Sequence, residues 1–311
     1  GAVAPTSSKE APLTTKVLGL PVRSFTNDHM RIDVLETAGP RIVGLFLGAS
    51  NDNLMAEVAD LTIPTTLGDF RLYGGHRLWH APEATPRSYV PDDAGVELTE
   101  ADGELHLLGP LEELTGIRKS MHIAFTPGKA ALAIRHRLEN QGPWPVELAP
   151  WALTMLRLGG VGIFPQTAHQ LDDAGLLPNR NMVFWPYTRL ADPRLHLADE
   201  LVLLHAQPAL PPCKIGYMNR HGWVGYLVAG VLVVKRFTPQ PDQPHVDFGC
   251  NSETYCNDRF IEVETVGPLV TLEPGQSVEH VEQWELYAAA GVQPTRDSIC
   301  AFVESLGLPL G

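Results

Sequence analysis

Short strand-like runs in quick succession, turn signals between them and a scarcity of helical periodicity predict an all-β protein. The expected form is a large, mostly antiparallel β-sandwich with few peripheral helices. The turn signals include Thr37-Ala-Gly-Pro40, Pro127-Gly128, Ala229-Gly230 and Glu273-Pro-Gly275, set between runs that alternate apolar and polar residues. The chain has 311 residues, 44% hydrophobic and 19% charged, enough for one large core. No repeat of fixed period is visible and Pro and Gly are evenly spread, so residues 16–311 are expected to form one domain.

Residues 1–15 read as a flexible leader rich in Ala, Ser and Pro, of the kind left by signal-peptide removal; an added Gly1 would look the same. Export, periplasmic or secreted, is therefore expected ahead of a cytoplasmic location. Arg31–Glu36 and Arg41–Leu47 form the first hairpin. Further strands fall at Val96–Leu98, Glu104–Leu108, Gly116–Phe125 and Ala131–Glu139. In the last of these His136 shares a face with Ile134 and Leu138, as a core histidine does.

Val146–Leu156 follows the turn Asn140-Gln-Gly-Pro-Trp-Pro145. Leu158-Gly-Gly-Val-Gly162 is Gly-rich, but no strand–loop–helix pattern surrounds it, which excludes a nucleotide-binding loop. Asn179–Tyr187 is an aromatic cluster suited to a rim. Trp223–Val228 and Val231–Phe237 make the clearest hairpin. Residues 294–306 carry the helix: Ile299, Phe302, Val303 and Leu306 share a face, Thr295 or Asp297 caps it, and Gly307 ends it.

A net charge of −13 disfavours a nucleic-acid partner. No run approaches the roughly 18 apolar residues of a membrane span, so no membrane partner is expected. Cys213, Cys250, Cys256 and Cys300 lack the Cys-x-x-Cys pairing of a zinc site. Cys250 and Cys256 are spaced to bridge a loop, or all four stay as free thiols.

Two stretches concentrate chemistry. In Phe260–Val266 the two-residue period of a strand puts Glu262 and Glu264 on one face and Ile261 and Val263 on the other. A solvated strand face would look the same. Gly267-Pro268 interrupts this strand, and Ser277–Tyr287 is expected to return beside it. In Gly74-Gly-His-Arg-Leu-Trp-His80 the Gly pair permits close backbone approach, and four side chains suited to binding follow, His76, Arg77, Trp79 and His80. The two histidines would meet at one metal only on a helix, which Gly74-Gly75 and Pro82 oppose, so no metal is expected. Trp151 offers an apolar face for a sugar ring or belongs to the core. Lys214 is a substrate contact or a solvated lysine.

Glu264-Thr265, the Gly/Pro break, Leu272-Glu-Pro-Gly275, His280 and Trp284-Glu-Leu286 together resemble the ending of aldose 1-epimerases, the galactose mutarotases. The resemblance implies a galactose-mutarotase-like supersandwich holding a small-molecule carbohydrate in a groove, without a cofactor and as a monomer. It makes Glu264 the base and Arg77 a sugar ligand; the residues themselves add Trp79, His80, Trp151, Lys214 and Glu262 as binding candidates. The family's acid histidine is missing where Pro150-Trp151-Ala152 stands, which leaves His76, His80 or another group for that role. Three functions follow: a sugar 1-epimerase acting by acid/base ring opening, a carbohydrate-binding protein without turnover, or a lyase or hydrolase of acidic or linked sugars.

Overall fold

The computed structural model describes residues 15–17, 19–208 and 211–311; the expected leader lies almost wholly outside them. Alternating strands bury one face each, and two faces buried against each other make the core. The described residues form two antiparallel sheets, of twelve and ten strands. In the first, Met30–Leu35, Arg41–Leu47, Gly68–Ala81, Val146–Leu156, Ile261–Val266, Ser252–Cys256 and Cys213–Tyr217 lie side by side in that order. In the second, Val161–Pro165, Trp223–Val228, Val231–Arg236, Ser277–Ala288, Ala131–Asn140, Ile117–Phe125 and Glu104–Glu112 do so. Ile32, Leu45, Leu78, Ile134, Leu138, Val233 and Trp284 meet in the core between the sheets.

The hairpins expected at residues 31–47 and 223–237 are present, as Met30–Leu35 with Arg41–Leu47 and Trp223–Val228 with Val231–Arg236. The helix is Arg296–Ser305. Its Ile299 and Val303 pack on Val161, Leu203, Trp223 and Leu232, on the far side of the second sheet from the core. Thr295 stands at its N-cap without a side-chain capping bond, and Gly307 takes the left-handed φ of +73° that ends it. No helix among the described residues is long and apolar enough to cross a membrane. All four cysteines are free thiols, Cys250 and Cys256 included.

One expected pairing is corrected. Ser277–Ala288 does not return beside Ile261–Val266; it pairs with Ala131–Asn140 and Val231–Arg236 in the opposite sheet. From the opposite sheet its inward residues His280, Glu282 and Trp284 reach into the core between the sheets. Glu282 accepts from Thr265 Oγ1 at 2.6 Å and faces Lys235 Nζ at 3.0 Å.

Candidate functional site

Five adjacent strands of the first sheet build a groove on the face turned away from the core. Arg77 lies opposite Leu153, and Leu153 opposite Glu264; Glu262 lies opposite Tyr255, and Tyr255 opposite Lys214. Paired residues share a face, so strand registers alone bring these side chains to one side. A cavity of 300 Å³ opens among them, lined by Arg77, Trp79, Glu83, Tyr89, Trp151, Leu153, Tyr187, Lys214, Tyr255, Asn257, Phe260, Glu262 and Glu264, with Leu61, Thr62, Ile63 and Leu72 along one edge. This is near the lower end of the ~300–1,000 Å³ usual for small-molecule sites.

Glu264 is 0% exposed. Its Oε2 accepts from Trp151 Nε1 at 2.9 Å and from Lys214 Nζ at 3.2 Å, while its Oε1 is buried without a partner. Glu262 Oε2 lies 2.9 Å from Arg77 Nη2, an ion pair whose geometry leaves that oxygen without a formal hydrogen bond. Arg77 Nε and Nη1 are buried and unpartnered, and its guanidinium lies 4.0 Å from the centre of the Trp79 ring. Lys214 is flanked by the rings of Trp151 at 4.8 Å and Trp185 at 4.7 Å.

Lys214 also reaches Glu253 Oε2 at 3.2 Å. Three buried carboxylates thus converge on two buried cations, and they cannot all ionise cheaply. Burial, with Glu264 nearby, pushes the Glu253 carboxyl well above the ordinary range, Lys214 offsetting only part. Burial likewise raises Glu262 against the pull of Arg77. Burial alone would lower Lys214, but Glu264, Glu253, Glu83 and Glu262 outweigh it and hold the ammonium well above an ordinary lysine. Lys214 is therefore a fixed cation, and the solvated-lysine alternative does not apply.

Arg77, Trp79, Trp151, Lys214, Glu262 and Glu264 thus come together. His76 and His80 do not line the cavity, contrary to expectation. Tyr73, Gly74 and Gly75 have φ of 56°, 109° and 70°, three successive left-handed residues that shift the alternation of the strand. Leu72 and Arg77 consequently face the same groove although five positions apart, and His76 turns inward. Only glycine fits there: a Cβ on Gly74 would lie 1.9 Å from the Ala56 carbonyl oxygen, and one on Gly75 2.0 Å from that of Ile42. His80 is buried with its Nε2 3.2 Å from Glu112 Oε1.

His76 joins a second polar cluster, inside the sandwich. His136 Nδ1 lies 2.8 Å from the His280 carbonyl oxygen and must donate to it, so His136 Nε2 accepts from His76 Nε2 at 2.7 Å, and His76 Nδ1 accepts from the Thr154 hydroxyl at 2.9 Å. Thr265 accepts from His280 Nε2 at 2.7 Å and donates to Glu282, whose other oxygen accepts from Trp284 Nε1 at 2.7 Å. Lys235 donates to the Val263 carbonyl at 2.9 Å. Burial lowers the pKa of His76, His136 and His280, the last to about 3. Burial alone would raise Glu282, but Lys235 overrides it and keeps the carboxylate ionised.

The ligand atoms of His76, His136 and Glu282 lie within 4.8 Å of one another, the one such metal-capable group among the described residues. Each is already engaged, and Lys235 supplies the cation that Glu282 faces. The donor set suits this network better than a metal ion.

Tyr187, from the aromatic cluster expected at a rim, lines the cavity, whereas Glu83, Tyr89, Tyr255 and Asn257 at the cavity and Glu253 beside Lys214 carry no such expectation from the sequence. The available signal for Glu253 and Tyr255 was their two-residue spacing in the run immediately before the glutamate strand.

No family model matches the sequence, and no curated protein matches it. Solved structures do. A galactose mutarotase-like protein from Lactobacillus casei aligns with TM-score 0.57 and 11% identity over 86% of this chain and 100% of its own. A candidate aldose 1-epimerase from Escherichia coli aligns at 0.52 and 13% over 87% and 100%. A TPR-domain containing protein from Parabacteroides distasonis aligns at 0.58 and 13% over 86% of this chain; the chain spans 47% of that protein's length. At these identities the likeness establishes the galactose-mutarotase-like fold of the chain.

Proposed function

We propose that the chain is a sugar 1-epimerase with Glu264 as its base. The observation that supports this most strongly is the division of labour between the two oxygens of Glu264. Trp151 and Lys214 fix Oε2, and Oε1 is left without a partner in a side chain that lines the cavity, as a positioned proton acceptor requires. In the proposed reaction Oε1 takes the proton of the anomeric hydroxyl as the C1–O5 bond breaks, and O5 takes a proton from Glu262, which burial keeps protonated to higher pH than an ordinary carboxyl. The aldehyde turns about C1–C2, and the same steps in reverse close the ring from the other face. Glu262 assumes the acid role expected of His76, whose ring lies on the core side of the sheet. Arg77 offers its free N–H groups to substrate oxygens, and Trp79 and Trp151 offer ring surface to the sugar's C–H face.

Lys214 and Arg77 each lie within ion-pair distance of a carboxylate. A binding protein without turnover would use the same aromatic walls. Freshly dissolved α-glucose and α-galactose, followed by polarimetry and exchange NMR, separate the cases. Anomer interconversion well above the buffer rate is expected. Saturable binding without acceleration would instead identify a binding protein, and neither effect would refute the reading.

A further inference from the structure

We propose that the groove holds a second sugar subsite, so that its ligand is a disaccharide or longer glycoside; this rests on the carbohydrate reading above. A further cavity of 400 Å³ adjoins the first and shares Glu83, Tyr89, Trp151 and Lys214 with it. Lys214 is the post between them, its ammonium 4.8 Å from the Trp151 ring and 4.7 Å from that of Trp185. Beyond Lys214 the second cavity is bounded by Trp185, Asp247 and the Pro82–Thr85 turn.

These groups have the chemistry of sugar recognition. An indole presents an apolar plane to the C–H face of a pyranose, and the carboxylates of Glu83 and Asp247 accept from its hydroxyls. The backbone at this place is shaped for a purpose other than packing. Asp247 and Phe248 both adopt left-handed φ, 56° and 59°, and Phe248 stands 93% exposed. A left-handed conformation is costly for a non-glycine residue, and burial of the Phe248 ring does not offset it; hydrogen bonds from Asn181 and Cys250 to the turn's carbonyls hold it. The turn instead holds Asp247 at the second cavity and sets an aromatic ring in solvent next to it in the chain. A monosaccharide occupying the Glu264 cavity would leave all of this unused.

Titration calorimetry of the full chain with glucose and galactose, and then with maltose, cellobiose and lactose, tests the inference. At least one disaccharide should bind about tenfold tighter than either monosaccharide, the scale of one added aromatic contact. Trp185→Ala should lower disaccharide affinity by more than it lowers monosaccharide affinity, because its ring also flanks Lys214. Asp247→Ala should do the same, which covers the case in which the Trp185 variant fails to fold. Monosaccharides binding as tightly as every disaccharide would overturn the second subsite and leave the carbohydrate reading standing. Binding of no sugar would overturn both.

Discussion

The two sides of the first sheet meet two polar clusters that differ in one respect. In the core, His76, His136, His280, Thr154, Thr265, Lys235, Glu282 and Trp284 satisfy one another. In the groove, Arg77, Glu264 and Glu253 keep buried atoms without hydrogen-bond partners. A buried polar group left unpaired costs about 1–3 kcal/mol, so unpaired atoms persist where something other than stability selects them. The richer collection of histidines is the mutually satisfied one, and the carboxylates with idle oxygens belong to the proposed site. The core cluster also serves the groove: Lys235 and Glu282 grip Val263 and Thr265, on either side of Glu264 in the chain.

The largest expected effect breaks the core cluster. Lys235→Ala would leave Glu282 as an uncompensated buried charge, costing about 3–5 kcal/mol of stability, readable as a fall in the denaturant midpoint. A loss of less than about 1 kcal/mol, the scale of an exposed pair, would mean that the core network is not the clamp described here.

A smaller effect sharpens the contrast through pH. His76, His136 and His280 have depressed pKa values in the fold, so the unfolded chain binds protons below about pH 6.5 that the folded chain refuses, and the core loses stability as pH falls. Glu253 and Glu262 have raised values, so the folded chain keeps protons that the unfolded chain releases above about pH 4.5, and the groove loses stability as pH rises towards the folded values. Glu253→Gln should flatten the alkaline limb of a melting-temperature profile and leave the acid limb unchanged. An unchanged alkaline limb would show that Glu253 is not the protonated member of the cluster.

Local features were legible in the sequence. Alternation placed Glu262 and Glu264 on one face, turn residues marked the hairpins, and apolar spacing with Gly307 marked the helix. What crosses space was not. The left-handed run at Tyr73–Gly75 moves His76 from the groove to the core, and no two-residue period reveals such a shift. The Gly pair signalled close approach, but whether it would also change the parity of the strand depended on the carbonyls of Ala56 and Ile42. The partner of Ser277–Ala288 was misassigned because a turn signal states that the chain reverses, not which sheet it reverses into. Glu253 went unnoticed because its importance comes from Lys214 on a neighbouring strand. Trp79 and Trp151 defeat the choice between site and core: they are 4% and 2% exposed and line the cavity as well.

We propose a division of labour in which the groove face does the chemistry and the core face holds it in place. Its most direct test measures anomer-exchange rate and unfolding midpoint on Glu264→Gln and Glu282→Gln side by side. Glu264→Gln should lower exchange by a factor of about 10²–10⁴, the usual worth of a positioned proton-transfer group, with a smaller fall in midpoint than Glu282→Gln, because Glu253 remains 3.2 Å from Lys214 to replace the lost charge. Glu282→Gln should lower the midpoint strongly and retain exchange wherever the protein is still folded. Full exchange in Glu264→Gln, or exchange abolished in a fully folded Glu282→Gln, would contradict the account.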